Sequence, residues 1–267
     1  MSKFAPRSSG VHNSNGNVKT SLLVTCEHGG NRVPRRYAHL FRRSGRRLET
    51  HRGFDFGALL MAQEISQCFD APLVASTVTR LLVDLNRSVG HRDISRVYRE
   101  LSPVERERML RDCYLPYRSE VERLVAKAIG CGRRVVHISS HSFTPRLHGK
   151  VRRADVGLLY DPVRPGESAF CRLWKAAIKR VAPELRVRRN YPYYGKGDGL
   201  TSYLRLRHSP DAYVGVELEI NQALVIGTKG RWTRLRASVI ESLRITLESE
   251  SPPVSVARGR VTAATTP

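Results

Sequence analysis

Residues 22–30, LLVTCEHGG, carry an apolar run straight into an acid, an imidazole and two glycines. Glu27 and His28 belong to the residue types that bind metals and move protons. The end of a strand is where open α/β sheets put such groups, because ligands sit in the crevice beyond the carboxyl ends of the strands. Further clusters share this character. HRGFDFG brings His51 and Asp55 to the start of a helical pattern, where an acid also serves as a cap at the positive end of the helix dipole. Arg80 is followed by the run Asp84, Leu85, Asn86, Arg87. In VVHISSHSFTP an apolar strand presents His137, which reads as a structural histidine, and then His141, which ends the strand beside Ser142 and is the better ligand. VELEIN places Glu217 and Glu219 two apart on a strand, hence on one face.

Two acids on one face of an apolar strand call for an explanation. A buried carboxylate without a partner is disfavoured by several kcal/mol even after its pKa adjusts. The pair therefore faces a charged partner or a water-filled site, unless the strand lies at an edge and its glutamates meet surface arginines. Together the clusters supply two histidines and several carboxylates from strand ends far apart in sequence. That is the recipe of a catalytic zinc, three N/O ligands plus a water, with a further acid as base. There is no HExxH helix, so a sheet has to assemble the site.

The elements that must do so are readable from periodicity. SLLVTC is the first strand, FDFGALLMAQEISQCF has apolar residues at helical spacing, and PLVAST and RLLVDL read as short strands. Ser102, Pro103 and Glu105 form a capping-box start to the longest helical stretch, which Pro116 is expected to divide in two. VVHISSH, VGLLYD and YVGVELEI are further strands, while ESAFCRLWKAAIKRV and TRLRASVIESLRITLE read as helices with one apolar face. Strands alternating with helices predict a largely parallel sheet covered by helices.

The chain has 267 residues, 40% of them hydrophobic, enough for one large core. A single domain is expected over residues 21–249, between ends at 1–20 and 250–267 whose polar composition predicts disorder. Neither a bilayer-spanning apolar run nor an export-type leader is visible, so no membrane partner and a cytoplasmic location are expected. Five cysteines without CxxC spacing read as free thiols, with Cys26 a small buried hydrophobe. The net charge is +22 and the pI about 10.6, yet the arginines are spread over the whole length. Spread in this way they read first as solvated surface, and the field they make also suits a small anionic substrate. A basic polyanion or nucleic-acid binder is the reading from another class, but it leaves His28, His141 and the paired glutamates without a role, so nucleic acid is not the expected partner.

TCEHGGNRVP, HRGFDFGA, TRLLVDLNRS, HISSHSFTP, DVGLLYD, NYPYYGKGDGLTSYLR and YVGVELEINQ, in this order, resemble the N-formylglutamate amidohydrolase family over residues 21–248. The resemblance implies a three-layer α/β/α sandwich with a mostly parallel, mixed central sheet, phosphorylase/hydrolase-like and similar to zinc carboxypeptidases. It implies hydrolysis of the amide of an N-acylated acidic amino acid, most simply N-formyl-L-glutamate to glutamate and formate. Another carboxylate-adjacent amide, γ-glutamyl or peptidoglycan-type, is the enzymatic alternative.

The same resemblance assigns roles. His28, His141 and an acid would hold Zn²⁺ or another divalent metal. Carboxypeptidases carry a glutamate at the third position after the first zinc histidine, and here that position is Asn31, so either Asp55 or Glu27 must substitute. Glu219, with Glu217 as second choice, would be the base. Arg87 with Asn86, joined by Arg80, would clamp a substrate carboxylate, since a guanidinium fork matches its two oxygens. Tyr193, Asp198 and Thr201 match the family's block in a Pro- and Gly-rich loop over the site.

Overall fold

The computed structural model describes residues 19–43 and 45–250. Residues 1–18 and 251–267, which hold nearly all of the two ends expected to be disordered, lie outside the described residues. The strands are β1 (Thr20–Cys26), β2 (Leu73–Ala75), β3 (Arg134–Phe143), β4 (Arg146–Leu147), β5 (Lys150–Val151), β6 (Val156–Leu159), β7 (Val187–Arg189) and β8 (Tyr213–Asn221). The helices are α1 (Gly45–Leu48), α2 (Ala58–Phe69), α3 (Arg96–Glu100), α4 (Pro103–Met109), α5 (Leu115–Gly130), α6 (Pro165–Val181), α7 (Leu200–Arg205), α8 (Gln222–Val225) and α9 (Lys229–Glu250).

Among the described residues six strands form one sheet, in the order β2-β1-β3-β8-β6-β7, and β4 and β5 form a small hairpin. β2, β1, β3 and β8 are parallel neighbours; β6 runs against β8, and β7 follows β6. The sheet is thus mixed and mostly parallel. Its central strands are nearly continuous buried runs, as expected of strands covered on both faces. Leu23, Val135 and Tyr213 pack with Val121 and Val125 of α5 on one side. Val24, Ile138 and Val216 pack on the other with Ile65 of α2, Trp174 of α6 and Val239 of α9. These are three layers, α/β/α. Among the described residues no helix is long and apolar enough to cross a membrane.

Three local expectations are corrected. RLLVDL is not a strand: residues 80–85 are an irregular segment whose Leu82, Val83 and Leu85 are buried. Its backbone groups find scattered partners instead of a ladder: Leu81 N and O bond to side chains, while Arg80 N donates to Gly53 O and Asp84 N to Ile94 O. Thr79 Oγ1 donates to Gly53 O and accepts from Leu81 N, Asp84 Oδ1 accepts from Asn86 N, and Ser95 Oγ donates to Leu81 O. Pro116 does not break the long helix. The capping box at Ser102 and Glu105 opens α4, which runs through a π turn, Leu110–Tyr114, into α5, so Pro116 falls directly after a wider turn that already interrupts the i→i−4 bonding it cannot join. Finally, Asp55 caps no helix side-on; the N-cap of α2 is Gly57.

β8 is interior, so the edge-strand explanation of Glu217 and Glu219 falls. The parallel arrangement brings the carboxyl ends of β1, β3 and β8 to one edge of the sheet, with Ser139 paired to Glu217 and His141 to Glu219.

Candidate active site

The chain leaves β1 through Glu27 and His28 and turns on Gly29 and Gly30. The turn needs glycine because it lies against the segment after β2: a Cβ on Gly29 would stand 2.9 Å from Ser76 O, and one on Gly30 2.8 Å from Thr77 O. Gly29 N and Arg32 N donate to these same two carbonyls. Asp55 N then donates to His28 O at 2.9 Å, which draws the turn before α2 alongside His28. β3 contributes His141 from the neighbouring strand. Three segments far apart in sequence thereby meet.

The meeting point is specific. Asp55 Oδ2 lies 3.0 Å from His141 Nδ1 and 3.4 Å from His28 Nδ1. Among the described residues, His28, Asp55 and His141 form a group whose ligand atoms all lie within 4.8 Å of one another, and all three side chains are buried. Bonds of ~2.1 Å in tetrahedral array put neighbouring N/O ligands about 3.4 Å apart, which these separations approach. His28 Nδ1 is buried without a hydrogen-bond partner, an orphan aimed at the same point. The residues fit a divalent cation.

Behind this set stands a ring of acids that orients the imidazoles. His28 Nε2 donates to Asp84 Oδ1 at 2.7 Å, and Arg80 Nη2 donates to Asp84 Oδ2 at 2.8 Å. His141 Nε2 faces Glu27 Oε2 at 3.0 Å, and Glu27 also accepts from Ser139 Oγ and Tyr117 OH. Glu27 thus sits on the ring nitrogen facing away from Asp55, outside the convergent set. A carboxylate on the far nitrogen fixes the tautomer and raises the basicity of the near one, as in carboxylate–histidine–metal arrangements.

Burial by itself would raise all three buried acids. Against it, the hydrogen bonds and charge of His141 hold Glu27 well below the usual carboxylate range; His28, His141 and Arg80 do the same for Asp55, and Arg80 and His28 for Asp84. Burial would likewise lower His141, but Asp55 and Glu27 push it well above the ordinary histidine value. A cation at the convergence point would take the place of that proton on Nδ1. Glu219 behaves oppositely. It is 5% exposed, its Oε2 has no partner, and burial, reinforced by Asp55 and Glu217 and opposed by His141, raises it to about 8.

A cavity of about 430 Å³ opens on this group. It is lined by His28, Asp55 and His141, by both Glu217 and Glu219, and by Arg80, Asn86, Arg87, Tyr193 and Asp198. The loop after β7 supplies Tyr193, which is 46% exposed, and Asp198, whose carboxylate accepts from Ser88 N and Oγ. Thr201 is fully buried outside the lining and donates to Glu217 Oε1 at 2.9 Å. Arg87 Nη1 donates to the carbonyls of Asn86 and Asp198, and its buried Nε is without a partner. Asn86 Oδ1 accepts from Leu200 N at 2.7 Å. His137 lies apart, bonded to Thr25 and Tyr213, which suits a structural histidine.

Sequence reasoning did not find the orienting role of Asp84, nor that His51 and His91 line the cavity. The signal for Asp84 was present: an acid two residues before Asn86, in a run already rich in polar groups.

A family model described as N-formylglutamate amidohydrolase matches residues 20–226. A gene product of Agrobacterium tumefaciens of known structure is similar at 31% sequence identity and a TM-score of 0.75, over 87% of this chain and 92% of that one. An N-formylglutamate amidohydrolase from Ralstonia eutropha shares 21% identity and a TM-score of 0.66, over 87% and 94% of the two chains, a likeness of fold. A metallo-carboxypeptidase from Burkholderia cenocepacia, at 12% identity and a TM-score of 0.39 over 90% and 60%, is too distant to build on. No curated protein sequence matches the chain.

Proposed function

This chain belongs to the N-formylglutamate amidohydrolase family, and from that premise we propose that it is a metal-dependent amidohydrolase that cleaves N-formyl-L-glutamate to glutamate and formate. The observation that carries the reading is the convergence of His28 Nδ1, Asp55 Oδ2 and His141 Nδ1 on one point of a buried cavity that Glu219 also lines. His28, Asp55 and His141 would hold the metal, zinc being well matched to two imidazoles and a carboxylate. Bound there, such a cation polarises the scissile carbonyl and lowers the pKa of water at the site.

The chain's own residues do the rest. Arg87 offers the substrate carboxylate the N–H groups it does not spend on backbone carbonyls, and Asn86, its Oδ1 held by Leu200 N, offers its amide N–H groups beside it. Glu219, whose carboxylate form the charge of a cation held there would favour, takes a proton from the attacking water as the water's oxygen bonds to the formyl carbon. Its raised proton affinity lets it keep that proton until the C–N bond breaks and the leaving amine accepts it. Glu217, held by the hydrogen bond from Thr201, stands beside Glu219 and adds to that affinity. Two carboxylates on the substrate match a cavity that also presents Arg80 and His51.

The test is release of formate from N-formyl-L-glutamate by the purified protein, before and after chelation and with zinc restored. Turnover lost on chelation and recovered with metal is expected. Turnover indifferent to chelator counts against the metal, and activity confined to γ-glutamyl or peptidoglycan-type amides against the substrate.

A further inference from the structure

Arg80 lines the catalytic cavity and also a second cleft. This cleft, about 470 Å³, is lined by six arginines (Arg47, Arg52, Arg80, Arg92, Arg96 and Arg99) against three acids (Asp84, Asp93 and Glu100). The acids do not neutralise it. Asp84 is buried and already shared by Arg80 and His28. Glu100 pairs with Arg96 at 2.6 Å, and Asp93 stands 3.8 Å from Arg92. Among the described residues, Arg47, Arg52 and Arg99 have neither an ion pair nor a side-chain hydrogen bond.

Separate pieces of chain deliver these unpaired groups: Arg47 from α1, Arg52 from the turn ahead of Asp55, and Arg99 from α3. Isolated surface arginines simply face water. Several around one concavity focus a positive potential there and repel one another, a cost that an anion removes. Apart from Ser95 the rest of the lining is apolar, with Leu40, Phe41, Leu81 and Val97, so the body of an organic ligand has something to pack against. Guanidinium forks match phosphate oxygens, and several forks around one point match the multiple oxygens of a phosphate better than the two of a carboxylate.

We propose that this cleft is a second ligand site that takes a small organic phosphate, its phosphate oxygens held by Arg47, Arg52 and Arg99. Arg80 connects the two sites. Two of its donors are held by Asp55 and Asp84, and the others are free to meet a phosphate. The ligand is distinct from the formylated amino acid, and its binding is read without reference to turnover.

The experiment is isothermal titration of inorganic pyrophosphate into the full-length protein at physiological ionic strength, repeated with His28→Ala and with the exposed pair Arg47→Ala/Arg99→Ala. Saturable one-to-one binding is expected, retained in His28→Ala and weakened by about tenfold or more in the arginine variant, which loses two charged contacts. Unchanged thermal unfolding of the arginine variant rules out misfolding as the cause. Binding abolished by His28→Ala would assign the anion to the catalytic cavity, and binding indifferent to the arginines, or absent up to millimolar pyrophosphate, would remove the site. Displacement of pyrophosphate by single-stranded oligonucleotides, tighter with length, would make these arginines a nucleic-acid face and overturn the small-ligand assignment.

Discussion

Replacing Asp84 by asparagine keeps the shape of the back wall and removes its charge. In the native protein one oxygen of Asp84 accepts from His28 Nε2 at 2.7 Å and from Asn86 N at 2.9 Å, and the other accepts from Arg80 Nη2 at 2.8 Å. An asparagine oxygen can keep the first two bonds, but its NH2 group then meets Arg80, donor against donor. Losing a hydrogen bond to a charged group costs about 2 kcal/mol, since Asp55 still stands 3.4 Å from the guanidinium. That lowers the Tm of a chain this size by roughly 4–8 °C. The effect on function is separate. A neutral amide polarises His28 less, so its Nδ1 becomes a weaker donor, and metal affinity should fall by about 10- to 100-fold. The assay is competition for zinc against a chromophoric chelator, run beside calorimetric unfolding of the same protein. A variant with the lowered Tm but zinc affinity within about twofold of wild type would refute the reasoning. Asp84 would then brace Arg80 and do nothing for His28.

Glu219→Gln should lower kcat by about 10²- to 10⁴-fold while zinc content and Tm hold, because an isosteric amide keeps the side chain's shape but cannot accept the proton; undiminished kcat would move the base to Glu217. Buried His137 is pushed down to about 4, mainly by desolvation. A depressed histidine adds stability above its unfolded pKa of about 6.5 and loses it as pH falls towards 4, on the order of 3 kcal/mol in all. Urea unfolding at several pH values between 7 and 4 should therefore show a steeper loss for wild type than for His137→Gln, and equal slopes would contradict it. A Cβ on Gly195 would fall against the backbone of Leu159 and Tyr160, closer than van der Waals contact allows. Gly195→Ala should thus displace the loop carrying Tyr193 and Asp198 and lower kcat/KM by about 10²-fold with zinc content retained, as steady-state kinetics and metal analysis would show.

Much of the architecture was legible because its cause is local. The apolar runs of β1, β3 and β8 and the helical spacing of α2, α6 and α9 follow from which faces must be buried, and parallel strands buried on both sides announce themselves as unbroken runs. RLLVDL shows the limit. Leu82, Val83 and Leu85 are buried as a strand's residues would be, but its backbone bonds to the Thr79 and Ser95 side chains and to the carbonyls of Gly53 and Ile94, and periodicity does not register that competition. The irregularity has a use, since it carries Asn86 and Arg87 to the cavity and sets Asp84 behind His28.

The sequence by itself determined which residue types stand at which strand ends: His28 after β1, His141 late in β3, and two glutamates sharing a face of β8. Covalent order and the two-residue repeat of a strand suffice for that. It left the choice between Asp55 and Glu27 open, because both are acids near an imidazole along the chain. Only the tertiary structure separated them, through a hydrogen bond from Asp55 N to His28 O and the placement of β3 beside β1, which set Asp55 against the Nδ1 atoms of both histidines and Glu27 against the opposite nitrogen of His141. Which side of a ring an acid occupies depends on the packing of segments dozens of residues apart, and no local pattern encodes it.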